Sequence, residues 1–83
     1  MTDQEILEVC SRTLGELLGD ESLVLSMTTR RAQIPDWDSL MYINFIAAIE
    51  VELKVKFGIV DVESFADVGA IVRRTQQLQS RGR

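Results

Sequence analysis

The segment from Leu40 to Ile49 constrains the fold most, because Asn44 is its only strongly polar residue. A helix this apolar must either lie at the centre of a bundle or offer an apolar face to a partner. Helical spacing divides the longer segment 39–53 into two faces, and we predict that one packs in the core while the other is a docking surface. The core face comprises Tyr42, Phe45, Ile46, Ile49 and Leu53, and the docking face comprises Leu40, Asn44, Ala47 and Val51, with Ile43 between the two.

Two other segments have the period of an amphipathic helix. The first runs from Asp3 to Leu18, starts with acidic residues that suit the positive end of a helix, and stops at Gly19. The last follows Asp67, a plausible N-cap. The apolar stripe of the first is Ile6, Cys10, Leu14 and Leu17, widened by Leu7, Val9 and Leu18, and the stripe of the last is Val68, Ile71, Val72, Thr75 and Leu78.

Residues 19–37 show no sustained period, and we predict a long loop that ends at Pro35 and is held to the core by apolar side chains. Loops of this length are uncommon in compact domains and tend to be functional. Residues 60–65 leave room for one or two helical turns. The chain is therefore predicted to be one all-α domain over 1–83, a four-helix bundle with a long first loop and a short third helix. The predicted loop contacts are Leu23, Val24, Leu25, Met27 and Ile34.

Charge and hydropathy exclude several classes of function. A net charge of −4 argues against a nucleic-acid binder, which needs a basic surface. No apolar run is long enough to span a membrane, and the acidic start is not typical of a signal peptide. We expect a cytoplasmic monomer with basic protein partners.

The chain has no histidine, so it can build neither a Ser-His-Asp nor a Cys-His site. Its single cysteine, Cys10, cannot form an intramolecular disulfide and is expected in the core. The acidic residues lack the spacing of a calcium loop. These absences disfavour most simple hydrolases, and we predict no metal site.

The stretch Asp36-Trp37-Asp38-Ser39-Leu40 places a serine at the start of the most apolar helix. Unpaired amides and the helix dipole favour an anion there, such as a phosphate ester of the Ser39 hydroxyl. The alternative is that Asp38 or Ser39 only caps the helix. Trp37 is interpreted as an anchor of the loop, with contact to a group attached at Ser39 or to a partner as the alternative.

The chain resembles the acyl carrier protein family over nearly its whole length. Asp38-Ser39-Leu40 is similar to that family's attachment signature, and Phe65–Gly69 is similar to the stretch that opens its last helix. Trp37 before the signature resembles the Trp-Asp-Ser-Leu variant of stand-alone carriers. The residues that match the family's second helix are Ile43, Phe45, Ile46, Ile49, Glu50 and Leu53.

In that family, a magnesium-dependent phosphopantetheinyl transferase moves 4′-phosphopantetheine from coenzyme A to the serine, and the arm carries acyl groups as thioesters. The resemblance therefore implies a covalent arm on Ser39, with Asp38 beside it. It implies a carrier that is not itself an enzyme, with the transferase and the enzymes that load and transfer acyl groups as its partners. The implied docking residues are Leu40, Ile43, Asn44, Ala47, Glu50 and Val51.

The match departs from the family at the docking face. Asn44 and Val51 stand where acids are common, and Lys54 and Lys56 add positive charge, which favours a specialised, polyketide-like or short-acyl pathway. A peptidyl or aminoacyl carrier is an alternative, although those modules usually have glycines before the serine. A helical adaptor that is never modified is another. A Gly-Asp-Ser-Leu hydrolase is disfavoured by the missing glycine and histidine.

Overall fold

The computed structural model describes residues 1–81, so Gly82 and Arg83, the end of the predicted 1–83 domain, lie outside it. The helices are α1 (Asp3–Leu18), α2 (Ser39–Leu53), α3 (Ile59–Ser64) and α4 (Val68–Arg81). A 3-10 turn, Arg31–Gln33, lies in the first loop, and residues 1–81 contain no strand. The predicted all-α, four-helix architecture is confirmed.

Helix α1 has the predicted bounds because both of its ends are capped. The Thr2 hydroxyl accepts a hydrogen bond from Glu5 N at 3.1 Å, and the Glu5 carboxylate accepts from Thr2 N at 2.7 Å. At the other end Gly19 takes the left-handed conformation, with φ of 72°, that favours glycine after a helix. An N-cap such as Thr2 typically contributes about 0.5–2 kcal/mol.

The core lies between α1, α2 and α4, with α1 in contact with both other helices. The predicted core residues of α2 other than the half-buried Tyr42 are buried, but Leu17 of α1 is 38% exposed, so its predicted core position is wrong. In this last turn Leu14 and Leu18 face the core, whereas Leu17 lies in a shallow surface groove. The buried apolar residues of the three helices are Ile6, Cys10, Leu14, Phe45, Ile46, Ile49, Leu53, Val68, Ile71 and Val72.

Cys10 is fully buried, as the sequence predicted. Burial raises the pKa of its thiol to about 12, because the apolar surroundings disfavour the thiolate. The thiolate is the reactive form of cysteine. Cys10 is thus a packing residue and not a nucleophile in the folded protein.

The first loop is held to the core, as predicted, but not by all of the expected residues. Leu25 is buried and its N–H donates to Ser11 Oγ at 3.0 Å. Val24 is 82% exposed, so its predicted contact is wrong. Neighbouring side chains in an extended segment point to opposite sides, so Leu23 and Leu25, on either side of Val24, turn toward the core while Val24 does not.

The loop is also bonded to the start of α4 through its backbone. The carbonyl oxygens of Met27 and Thr29 accept from the N–H groups of Gly69 and Val68, at 2.7 and 2.9 Å. A Cβ atom on Gly69 would lie 2.5 Å from the Met27 carbonyl oxygen, so only glycine fits this approach. Asp67 Oδ1 accepts from Ala70 N at 2.8 Å, which confirms its predicted capping role.

Helix α3 begins one residue before the predicted segment and is tied to two neighbours. Asp61 accepts from Gly58 N at 2.9 Å and forms an ion pair with Arg74 of α4 at 3.1 Å. The Tyr42 hydroxyl of α2 donates to the Val62 carbonyl oxygen at 2.7 Å. None of the helices described over residues 1–81 has the length and apolar character needed to cross a membrane.

Candidate functional site

Asp38 is the N-cap of α2. Its Oδ1 accepts a hydrogen bond from Met41 N at 2.9 Å, and its carbonyl oxygen accepts from Tyr42 N at 2.8 Å. Of the two residues that could have capped the helix, Asp38 therefore does so. The Ser39 hydroxyl is not needed for capping and remains available for another role.

Ser39 is the first residue of α2, and its side chain is exposed. Its Oγ accepts from Arg31 Nη1 at 3.4 Å, a long hydrogen bond. With no histidine in the chain, the hydroxyl lacks the usual base that would activate it as a nucleophile.

Two features make the surroundings of Ser39 favourable for an anion. Ser39 lies at the positive end of α2, where the N–H groups of Ser39 and Leu40 have no partner within the helix. The Arg31 guanidinium adds a full positive charge next to the hydroxyl. A phosphate esterified to Oγ would be attracted by both.

Arg31 is itself held in place by an aromatic ring. Its Cζ lies 5.1 Å from the centroid of the Tyr42 ring, a cation–π arrangement. Burial raises the pKa of the Tyr42 hydroxyl, and the positive charge of Arg31 partly offsets that rise. The two side chains thus form one unit at the start of α2.

Trp37 lies in the core and not beside Ser39 on the surface. It is 5% exposed and packs edge-on against Phe45, with ring centroids 5.1 Å apart, and against Tyr42 at 6.2 Å. These contacts support its interpretation as a loop anchor. Its neighbour Asp36 has a φ of 68°, so the chain turns sharply just before the site.

The predicted docking face of α2 is largely exposed. Leu40 is 72% exposed and Val51 77%, values that are high for such apolar side chains. Ile43 is exposed, and so are Asn44 and Ala47. The docking role of this face stays a prediction.

Glu50, the sixth predicted docking residue, has a structural contact that the sequence did not reveal. Its carboxylate accepts from Phe57 N at 2.7 Å and is half-buried, so it fixes the turn after α2. Phe57 lies beyond the end of α2, so helical spacing does not predict this hydrogen bond. Part of the negative charge on the docking face is therefore already bonded within the chain.

Helix α3 extends the apolar surface in a way that sequence reasoning missed. Ile59 and Val60 are 78% and 77% exposed. Ile59 lines a groove of about 340 Å³ together with Ile43, Ile46 and Phe57, edged by Glu50 and Lys56. In the sequence, this exposed surface is indicated only by the adjacent β-branched residues Ile59 and Val60, in a segment too short to bury both.

A second cleft, of about 260 Å³, lies between the first loop, α2 and the start of α4. Arg31 and Tyr42 line it, which places it next to Ser39. Across residues 1–81, no cluster of three or more histidine, cysteine or acidic side chains is placed to hold a metal ion.

Comparison with solved structures identifies a similar protein. The chain superposes on the solution NMR structure of a holo acyl carrier protein from Geobacter metallireducens with a TM-score of 0.83 and 27% sequence identity. The alignment covers 93% of this chain and 88% of that one. No protein-family model and no curated protein matches the chain.

This likeness supports the predicted resemblance to the acyl carrier protein family. The chain has the four-helix fold of an acyl carrier protein, which is the fold of a carrier and not of an enzyme.

Proposed function

We propose that this chain is an acyl carrier protein whose Ser39 is modified with 4′-phosphopantetheine by a phosphopantetheinyl transferase. The observation that carries the proposal is the exposed Ser39 hydroxyl at the start of α2. Asp38 caps the helix, so this hydroxyl is not needed for capping. The fold is shared with a holo acyl carrier protein. The arm, when bound, ends in a thiol that holds acyl groups as thioesters.

The residues of the chain divide the work at this site. Ser39 Oγ supplies the oxygen that becomes esterified, and the transferase activates it for attack on the phosphate of coenzyme A. Asp38 fixes the first turn of α2, so that the hydroxyl is presented on a rigid element. The N-terminus of α2 and the Arg31 guanidinium would stabilise the phosphate once it is attached.

The exposed face of α2 is the proposed docking surface for the transferase and for enzymes that load and transfer acyl groups. Its exposed apolar residues would supply contact area, and charges at its edge would set partner choice and on-rate. Because Asn44 and Val51 are uncharged and Lys54 and Lys56 are exposed, the partners belong to a specialised pathway, polyketide-like or short-acyl. A cytoplasmic location and a monomeric state stay predictions.

The intact mass of the protein tests the modification. Wild-type protein is incubated with coenzyme A, magnesium and a promiscuous phosphopantetheinyl transferase, next to Ser39→Ala and Ser64→Ala. We expect one added arm on wild type and on Ser64→Ala and none on Ser39→Ala. If well-folded wild type gains no arm, the proposal is wrong and the adaptor alternative gains support.

The pathway is tested by loading. A malonyltransferase of fatty acid synthesis should load the holo protein more slowly than it loads the housekeeping carrier of the same host. Equal rates would contradict the specialised pathway and leave the carrier function intact. Loading by an amino-acid-activating enzyme instead would favour the peptidyl or aminoacyl carrier alternative.

A further inference from the structure

We infer that Arg31 binds the phosphate that joins the arm to Ser39, so that the 3-10 turn Arg31–Gln33 is a positioning element for the arm. The inference rests on the proposed function, because the phosphate is present only in the modified protein. Arg31 belongs to the loop that precedes α2, and Ser39 belongs to the helix, so the contact spans two elements. No feature of the sequence singled this arginine out.

In the unmodified protein, the contact between Arg31 and Ser39 is weak. Its Nη1 reaches Ser39 Oγ at 3.4 Å, beyond the usual range for a strong hydrogen bond, and the acceptor is a neutral hydroxyl. Esterification would put charged phosphate oxygens next to the same guanidinium. Hydrogen bonds to charged acceptors are roughly twice as strong as neutral ones, and the arginine fork fits phosphate oxygens in pairs. The contact should therefore become stronger in the modified protein.

The guanidinium is already held in position before the phosphate arrives. It lies over the Tyr42 ring at 5.1 Å, and Tyr42 is fixed by its hydrogen bond to the Val62 carbonyl oxygen and by packing on Trp37. Less side-chain entropy is then lost when the phosphate binds.

The charge of Arg31 is also not committed to an acid. Within residues 1–81, Arg12, Arg73 and Arg74 each pair with a carboxylate within 4.0 Å, whereas Arg31 pairs with none. A phosphate on Ser39 would supply the missing counterion.

Arg30 provides a matched control. It is the preceding residue, it is exposed and it carries the same charge. Its hydrogen bonds are made by its backbone, because Arg30 N donates to Gln33 Oε1 and the Arg30 carbonyl oxygen accepts from Gln33 N. Neutralising Arg30 changes the net charge by the same amount without removing a contact to Ser39. Arg31→Lys serves as a second variant, which keeps the charge but loses the fork.

The experiment compares the stability of apo and holo forms. Both forms of wild type, Arg31→Gln, Arg31→Lys and Arg30→Gln are melted at low and high salt, and the holo-minus-apo difference in Tm is taken for each. We expect Arg31→Gln to lower this difference by about 2–6 °C at low salt, as for loss of one exposed ion pair in a small domain. Arg31→Lys should be intermediate and Arg30→Gln should match wild type, and high salt should shrink the effect.

Phosphorus NMR of the holo proteins gives an independent readout. The phosphodiester resonance should move in Arg31→Gln and stay in place in Arg30→Gln. An arginine that only stabilises the loop would lower the Tm of apo and holo forms equally and leave the resonance unmoved, and this outcome overturns the inference. If folded wild type accepts no arm, the proposed function fails first, and the two failures are distinguished by the intact mass.

Discussion

Trp37 and Ser39 are separated by one residue yet have opposite surroundings. Trp37 is buried against Phe45 and Tyr42, while the Ser39 side chain is exposed, and Asp38 between them caps α2. The sharp turn at Asp36 and the start of the helix together allow this reversal. One side chain anchors the loop, and the other exposes its hydroxyl on the surface.

Removal of the Trp37 ring should therefore affect the fold strongly. Trp37→Ala is expected to lower the free energy of unfolding by about 3–5 kcal/mol, because a large buried ring leaves a cavity. That is much of the roughly 5–15 kcal/mol that holds a domain of ordinary stability together. Trp37→Phe keeps most of the packing and should cost less. Urea titration followed by circular dichroism measures both, and a loss below about 1 kcal/mol for Trp37→Ala would contradict the anchoring role.

At the scale of elements, the first loop and α4 are joined where Gly69 meets the Met27 carbonyl oxygen. Gly69→Ala should destabilise the fold by about 1–3 kcal/mol, because the new Cβ forces the two backbones apart. Gly58→Ala is the control, since its Cβ would lie at an ordinary 3.5 Å from Asp61 Oδ2. Thermal unfolding of both variants checks the prediction, and equal melting temperatures would show that the contact is loose.

Helix α3 should make the stability of the protein sensitive to acid. The hydrogen bond from the Gly58 N–H lowers the pKa of Asp61 below its ordinary value of 3.8, and the nearby Arg74 lowers it further by a smaller amount. A carboxyl whose folded pKa is lowered stabilises the fold above its unfolded pKa, and that contribution is lost as the pH falls through the folded value. Asp61→Asn should thus be less stable than wild type at pH 7, with the two converging below about pH 4. Urea titrations between pH 7 and pH 3 measure this, and a difference that stays constant would refute it.

The elements also show where sequence reasoning succeeds. The bounds of α1 and α2 were predictable because their caps and apolar periods are local, with Thr2, Gly19 and Asp38 adjacent to what they cap. The contacts between Arg31 and Ser39 and between Glu50 and Phe57 were not. Both depend on the path of a segment without a period, which only the packed structure defines.

In the whole molecule, the proposed attachment site, Ser39, is separate from the core that holds the fold together. The core lies between α1, α2 and α4, and Ser39 is outside it. Ser39→Ala should therefore change the free energy of unfolding by no more than about 0.5 kcal/mol. Asp38→Ala should cost about 0.5–2 kcal/mol, because it removes the cap of α2. Urea denaturation of the two apo variants compares them, and a larger loss for Ser39→Ala would mean that the serine belongs to the fold.

The burial of Cys10 has a practical consequence for the proposed carrier. In the folded protein a thiol reagent would meet only the end of the arm, because Cys10 is enclosed and its proton is tightly held. After denaturation the same reagent would also titrate Cys10, which occurs once per chain. The increase in titrated thiol on denaturation counts the chains, because each contributes one Cys10. The thiol titrated in the folded protein, divided by that increase, gives the fraction of molecules that carry a free, unloaded arm.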